Sequence, residues 1–109
     1  MDKVYCGRLN AYYGSMLTEH QSEILRQYYD CDMSLAEIAE ETGTSRQAVR
    51  EAIVRSTEKL VTWENKLNLI KKVDAISGEL KDIIASVDDV EKEDVKERLS
   101  SLLMEIKEI

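Results

Sequence analysis

One segment, from Ser34 to Ile53, constrains the fold more than any other part of the chain. Ser34 and Glu37 have the spacing of a capping box, in which each side chain accepts a hydrogen bond from the other residue's backbone N–H. Gly43 stands where the chain has to leave the helix, a position that favours glycine because φ is positive there. The apolar residues between them share one helical face: Leu35, Ile38 and Ala39.

A second helix is predicted directly after Gly43. Either Thr44 or Ser45 is suited to cap it, and Gln47 stands at the third position after Thr44. Its apolar face continues with Val49, Ala52 and Ile53. Two short helices joined by a turn of three or four residues that contains glycine are typical of a helix-turn-helix. The alternative is a helical hairpin that only packs.

The outward face of this second helix favours nucleic acid as a partner. Arginine binds guanine or phosphate through two parallel hydrogen bonds, and glutamine binds adenine in the same way. Residues at the start and along the exposed side of such a helix reach the major groove. The candidate nucleic-acid-binding residues are Ser45, Arg46, Gln47, Arg50, Glu51, Val54 and Arg55. A plain solvated face is the alternative for each of them.

The charge of the chain is unevenly distributed. The 109 residues carry a net charge of −7, which is unfavourable for binding phosphates. Residues 46–73, however, hold seven basic and three acidic residues, whereas both flanking segments are acidic. Phosphate attraction dominates nucleic-acid affinity, so one chain should bind weakly and with strong salt dependence. Binding then requires a dimer or a partner protein, or else the acidic faces meet a basic protein or a ribonucleoprotein.

Two helices are predicted before the helix-turn-helix. The first runs from about residue 3 to 15, with apolar positions Val4, Tyr5, Leu9, Tyr12, Tyr13 and Met16. A capping box of Thr18 and Gln21 opens the next, which carries Ile24, Leu25, Tyr28 and Tyr29. This helix completes a trihelical core. The five tyrosines are expected in the core and at its rim, and stacking on bases is the alternative.

The recognition helix is predicted to extend far beyond the motif. The apolar side of the helix continues as a coiled-coil-like seam, whose positions are alternately three and four residues apart: Ser56, Leu60, Trp63, Leu67 and Ile70. A second run, offset by one residue, contains Val73, Ile76, Leu80, Ile83 and Val87. The long helix is therefore expected to continue with a register shift or a bend near Ser77–Gly78. A turn at residues 87–89 precedes a final helix lined by Val95, Leu99, Leu102, Leu103, Ile106 and Ile109.

These elements predict an all-α fold: a trihelical helix-turn-helix core with an elongated recognition helix, and a C-terminal helix packed back on it. Residues 1–60 form the helix-turn-helix domain, without a wing, and residues 61–109 form the extension within the same folding unit. The seam is filled either from within the chain or by a second copy, so a homodimer through the long helix is one alternative.

Several functional classes are excluded by the sequence. No apolar run approaches the roughly 18 residues of a membrane span, and the N-terminus lacks a signal-peptide core, so a cytoplasmic protein without membrane insertion is expected. Cys6 and Cys31 are expected as small buried apolar residues, and His20 as a surface residue. We find no glycine-rich phosphate loop and no spacing typical of a metal or nucleophile site. We therefore expect no cofactor, no metal and no enzyme activity.

Four blocks of the chain resemble the YlxM-like proteins of Gram-positive bacteria. They are Tyr28-Tyr29, Ser34-Leu-Ala-Glu-Ile-Ala-Glu-Glu, Thr44-Ser-Arg-Gln-Ala-Val and Glu64-Asn-Lys-Leu-Asn-Leu-Ile-Lys-Lys, in this order. The trihelical part is also similar to region 4 of bacterial sigma factors, which reads promoter DNA. The YlxM-like resemblance implies a small non-enzymatic regulator in the signal recognition particle pathway, encoded beside that particle's GTPase genes.

Two functional hypotheses follow from the sequence. In the first, the protein is a regulator of the signal recognition particle pathway, and the helix from residue 45 to 60 engages the particle's RNA or its GTPase, a protein with a basic RNA-binding domain. In the second, the protein is a DNA-binding transcription regulator that dimerises through the long helix.

Overall fold

A computed structural model describes residues 2–109, and the class is all-α as predicted. Six α-helices follow one another: α1 (Lys3–Tyr13), α2 (Glu19–Leu25), α3 (Leu35–Thr42), α4 (Arg46–Leu67), α5 (Leu69–Ser86) and α6 (Lys92–Lys107). A 3₁₀ turn, Gly14–Met16, follows α1, and a π-helical turn, Arg26–Asp30, extends α2. No helix over residues 2–109 is both long enough and apolar enough to cross a membrane.

Contacts within the chain cluster into two units, one ending at Leu67 and the other running from Asn68 to Ile109. The domain bounds of residues 1–60 and 61–109, and their folding as a single unit, stay predictions.

In the first unit, α4 is the central helix and contacts α1, α2 and α3. The apolar core that they enclose contains Cys6, Leu9, Tyr13, Leu17, Ile24, Leu25, Ile38, Ala39, Val49, Ile53 and Leu60. Four polar side chains are also buried in this unit: Gln27, Ser56, Thr57 and Glu64. The helices therefore form the predicted trihelical arrangement, with α1 packed against it.

The buried side of α1 agrees with the predicted one at Leu9 and Tyr13 but differs at other positions. Val4 is 73% exposed and Met16 is half-exposed, whereas Cys6 and Gly7 are buried. Cys6 is fully buried as expected, but Cys31 is exposed, so the prediction for Cys31 was wrong. Cys31 follows the π-helical turn, and its backbone N–H donates to the carbonyl of Arg26, which closes that turn at the surface.

No break interrupts the helix at Ser77–Gly78, which lie within the continuous α5. The interruption lies at Asn68, which separates α4 from α5 in the left-handed conformation with φ 54°. Asparagine enters this conformation more readily than most residues because its short polar side chain bonds locally. Gly78 lies within α5 and is exposed. Glycine at such a position lowers the stability of the helix by about 1 kcal/mol relative to alanine.

The second unit is a hairpin of α5 and α6. The predicted turn after Ser86 is confirmed, but α6 begins only at Lys92, after Glu91. Ile76 and Ile83 of α5 pack with Leu102 of α6, and the half-buried Val95 completes this cluster. Arg98 donates to Glu79 Oε1 through Nε at 3.1 Å and through Nη2 at 2.9 Å. Of the apolar line predicted for the last helix, Leu102 alone is fully buried; Leu99, Leu103, Ile106 and Ile109 are 44–53% exposed.

Candidate nucleic-acid interface

The turn between α3 and α4 is built by local hydrogen bonds. The predicted capping box of α3 is present: Glu37 N donates to Ser34 Oγ, and Ser34 N donates to Glu37 Oε1, each at 3.1 Å. Gly43 ends α3 with φ 70°, in the left-handed conformation expected of it. Thr44 N then donates to the carbonyl of Ala39 at 3.0 Å, which closes the turn.

Ser45 is the residue that caps α4, so the structure decides between the two predicted caps. Its Oγ accepts from Ala48 N at 3.0 Å, and its carbonyl accepts from Val49 N at 3.1 Å. Thr44 is not the cap, since its hydroxyl pairs with that of Thr42 at 3.0 Å. Gln47 has no capping role either, because its side-chain amide donates to Glu51 Oε1 at 3.3 Å.

The helix-turn-helix is anchored to the rest of the first unit by apolar and polar contacts. Ile38 and Val49 are almost completely buried, so α3 and α4 meet through the predicted faces. Tyr29, at the π-helical turn, shares a 2.8 Å hydrogen bond with the Thr57 hydroxyl on α4. Gln27, in the same turn, donates to Glu41 Oε1 at 3.1 Å. These bonds hold α3 and the middle of α4, and the first turns of α4 are exposed on the side away from Val49.

All seven candidate residues are exposed on α4 and the residue before it. Five of them line a shallow groove of about 430 Å³: Gln47, Arg50, Glu51, Val54 and Arg55. Ser45 and Arg46 lie at the start of the helix, outside this groove. The structure therefore brings the predicted residues together on one helix surface.

The three arginines of this surface, Arg46, Arg50 and Arg55, have no ion pair with any residue of the described chain. Glu51 is the acidic residue among them, and it accepts the Gln47 amide. Three guanidinium groups without protein partners leave about fifteen N–H donors for an anionic ligand. The surface is suited to phosphate and base edges.

The basic surface extends further along α4 than the seven candidate residues predicted from the sequence. A second shallow groove, of about 340 Å³, is lined by Arg55, Glu58, Lys59, Thr62 and Trp63. Trp63 was predicted to belong to the apolar seam, yet it is half-buried and lines this groove. The spacing of Arg55, Lys59 and Trp63 by four residues places them on one helical face. This spacing is the sequence signal from which the extension of the surface could have been predicted.

These features define an all-α helix-turn-helix protein. A family model described as "Putative helix-turn-helix protein, YlxM / p13 like" matches residues 2–102. The chain belongs to this family, UPF0122.

Relatives in the family align over different lengths. The UPF0122 protein of Clostridium novyi is 38% identical over 106 residues, which is 97% of this chain and 92% of that protein. That of Desulforamulus reducens is 41% identical over 84% of this chain and 78% of its own length. The UPF0122 protein of Clostridium acetobutylicum is 45% identical over 65% of this chain, and the match spans only 61% of that relative.

Proposed function

We propose that this protein is a non-enzymatic regulator that binds nucleic acid through the exposed face of α4. The observation that carries this proposal is the set of three arginines, Arg46, Arg50 and Arg55, that share this face without ion pairs. The helix that bears them follows a glycine turn, is capped by Ser45, and is packed on α3. A helix held in this way presents its first turns to a groove.

Each proposed contact has a chemical role. Arg46 and Arg50 are placed to bind guanine or phosphate with two parallel hydrogen bonds, and Gln47 to bind adenine once it releases Glu51. Glu51 is then free to accept a hydrogen bond from the amino group of cytosine. Ser45 and Arg55 flank these residues and bind phosphate, and Val54 supplies an apolar contact.

The pathway is proposed from the resemblance. The YlxM-like resemblance implies a cytoplasmic regulator of the signal recognition particle pathway, and the particle's RNA, with its GTPase as a protein partner, is the first ligand to test. Operator DNA is the second candidate, and the capped start of α4 after the Gly43 turn favours it, because this is the geometry of a groove-reading helix. In either case the net charge of −7 predicts weak, salt-sensitive binding by a single chain.

The test is binding of the purified full-length chain to signal recognition particle RNA and to mixed-sequence duplex DNA, followed by fluorescence anisotropy. Arg46→Ala with Arg50→Ala should weaken binding at least tenfold, since each base contact contributes about 1–3 kcal/mol. The matched control is Arg26→Ala with Lys72→Ala, which removes the same charge away from α4. On duplex DNA, the slope of log affinity against log salt should fall by about 0.9 for each phosphate that the variant no longer neutralises.

Equal weakening by both double variants would mean that net charge, and not the face of α4, governs binding. Affinity capture from lysate with separate ribonuclease and deoxyribonuclease treatments distinguishes the two ligands. Recovery of the particle's RNA supports the first candidate, whereas enrichment of specific duplex sequences supports the second. A chain that binds neither nucleic acid at low salt would contradict the proposal.

A further inference from the structure

The second groove of α4 combines an aromatic ring with two cations. It has a volume of about 340 Å³, and its lining consists of Arg55, Glu58, Lys59, Thr62 and Trp63. Arg55 and Lys59 are exposed and have no ion pair with any residue from 2 to 109. The hydroxyl of Thr62 donates to the carbonyl of Glu58 at 2.9 Å, so its proton is already in use. The groove therefore offers a ligand two cations, one carboxylate and the Trp63 ring.

The tryptophan restricts which ligand suits this groove. Trp63 is half-buried, so the protein holds part of its ring while another part lines the groove. Indole has one N–H donor and no acceptor, and it reads little of the hydrogen-bond pattern of a base edge. An aromatic ring beside cations is instead a platform on which bases stack. Bases inside a duplex are covered on both faces by their neighbours, so the groove fits an unpaired base.

The path of the surface around α4 also favours a single strand. Residues of the two grooves follow one another at intervals of four: Gln47, Glu51, Arg55, Lys59 and Trp63. Each interval turns by about 40° around the helix axis and advances about 6 Å along it. Trp63 is therefore turned by about 160° from Gln47 and lies about 24 Å further along the helix. A stiff duplex against Gln47 does not reach both sides of the helix, whereas a flexible strand can follow this row.

We propose that Arg55, Lys59 and Trp63 bind a single-stranded segment of the nucleic acid whose paired part is held by the start of α4. Arg55 and Lys59 bind phosphates of this segment, and an unpaired base stacks on the Trp63 ring. Glu58 accepts a hydrogen bond from the amino group of a base, which keeps its charge away from the phosphates. This site rests on the proposed binding of nucleic acid by α4, and it narrows the ligand to RNA or DNA with a junction between paired and unpaired nucleotides.

Trp63 is the only tryptophan of the chain, so its emission reports directly on stacking. The probes are a mixed-sequence duplex with blunt ends and the same duplex with an overhang of about eight unpaired nucleotides, each prepared as RNA and as DNA. Fluorescence anisotropy of labelled probes with the full-length chain measures affinity, and tryptophan emission is measured with unlabelled probes. We expect the overhang to raise affinity about tenfold and to quench the emission, whereas the blunt duplex should not quench it.

Substitutions in the groove separate stacking from general charge attraction. Trp63→Ala should abolish the preference for the overhang, and Trp63→Tyr should retain part of it because tyrosine keeps an aromatic face. Lys59→Ala should lower the preference about threefold, since one phosphate contact is lost. The matched control, Lys96→Ala, removes the same charge from an exposed position on α6 and should leave the preference intact. Far-UV circular dichroism checks that each variant remains helical.

The outcomes distinguish this site from the binding of nucleic acid in general. Quenching by one kind of overhang alone would assign the site to that nucleic acid, and quenching by both would assign it to unpaired bases of either kind. Equal affinity for blunt and overhanging probes, or a preference without a change in Trp63 emission, would overturn the single-stranded site and leave the proposed function standing. A helical Trp63→Tyr variant without any preference would also overturn it. Binding of neither probe at low salt would overturn the proposed function together with this site.

Discussion

Tyr13 of α1 donates a hydrogen bond from its hydroxyl to Glu64 Oε1 of α4, across 2.5 Å and between residues 51 positions apart in the sequence. Both side chains are buried, with 2% of Tyr13 and 6% of Glu64 exposed. A buried carboxylate is costly unless donors surround it. The bond therefore connects the N-terminal helix to the far end of the recognition helix.

Removal of this hydroxyl should destabilise the first unit. Tyr13→Phe keeps the ring but takes one donor from a buried carboxylate, and we expect a loss of about 1–3 kcal/mol in the free energy of unfolding by urea. Tyr12→Phe is the matched control, because Tyr12 is 37% exposed, and it should change stability by less than about 0.5 kcal/mol. Similar losses in the two variants would contradict the importance of the Tyr13–Glu64 bond.

Replacing two glycines by alanine should change the stability of the protein in opposite directions. Gly43→Ala should destabilise the protein by about 1–2 kcal/mol, because φ is 70° and no neighbouring atom lies within 4 Å of an added Cβ, so the cost is backbone strain alone. Gly78→Ala should stabilise it by about 0.4–1 kcal/mol, since Gly78 is helical and also has open space around it. Thermal and urea unfolding measure both, and a stabilising Gly43→Ala would show that the turn is not left-handed.

The two cysteines should differ in reactivity. Cys31 is exposed, with Arg26 Nη1 at 3.1 Å from its sulfur, whereas Cys6 is fully buried. A chromogenic disulfide reagent should therefore modify one thiol per native chain rapidly, and both thiols in denaturant. Cys31→Ser should abolish the rapid phase and Cys6→Ser should retain it. Rapid modification of Cys6 in the native chain would contradict its burial.

Tyr29 should make stability sensitive to alkaline pH. The pKa of Tyr29 is raised from an ordinary value of 10.0 to about 12, mainly by burial; the hydrogen bond with Thr57 lowers it, and nearby Cys6 contributes to the rise. Above pH 10 the unfolded chain loses the Tyr29 proton while the folded chain keeps it. The free energy of unfolding should therefore decrease as the pH rises from 10 through about 12.

The matched comparison for this prediction is Tyr29→Phe. The difference in unfolding free energy between wild type and Tyr29→Phe, measured by urea titration at several pH values, should be constant below pH 10 and should shift against the wild type above it. A difference that does not change with pH would show that Tyr29 has the same pKa in both states.

Local features of this fold follow directly from the sequence. The capping boxes at Thr18 and Ser34 and the left-handed turn at Gly43 were predicted and are confirmed. Each depends on hydrogen bonds or dihedral angles within a few residues, so the residue types suffice to specify them. The exposed positions of Arg46 and Arg50 follow in the same way from helical periodicity.

The π-helical turn at Arg26–Asp30 depends instead on distant partners. The helical periodicity predicts a regular helix through Tyr28 and Tyr29. In the structure both lie in the π-helical turn, where the Tyr29 hydroxyl bonds that of Thr57 in α4. The burial of polar side chains also depends on distant residues. Glu64 can be buried because Tyr13 supplies its hydrogen bond. Thr57 is buried with a hydrogen bond to Tyr29. No local pattern contains these pairings.

The sequence by itself thus determined the all-α class, the helix-turn-helix and the basic start of α4, because caps, glycine turns and helical periodicity act over short separations. Only the tertiary structure decided which faces are buried, that α4 ends at Leu67 before the left-handed Asn68, and which cysteine is exposed. Those outcomes depend on packing between residues far apart in the chain, and short-range propensity is too weak to override such packing.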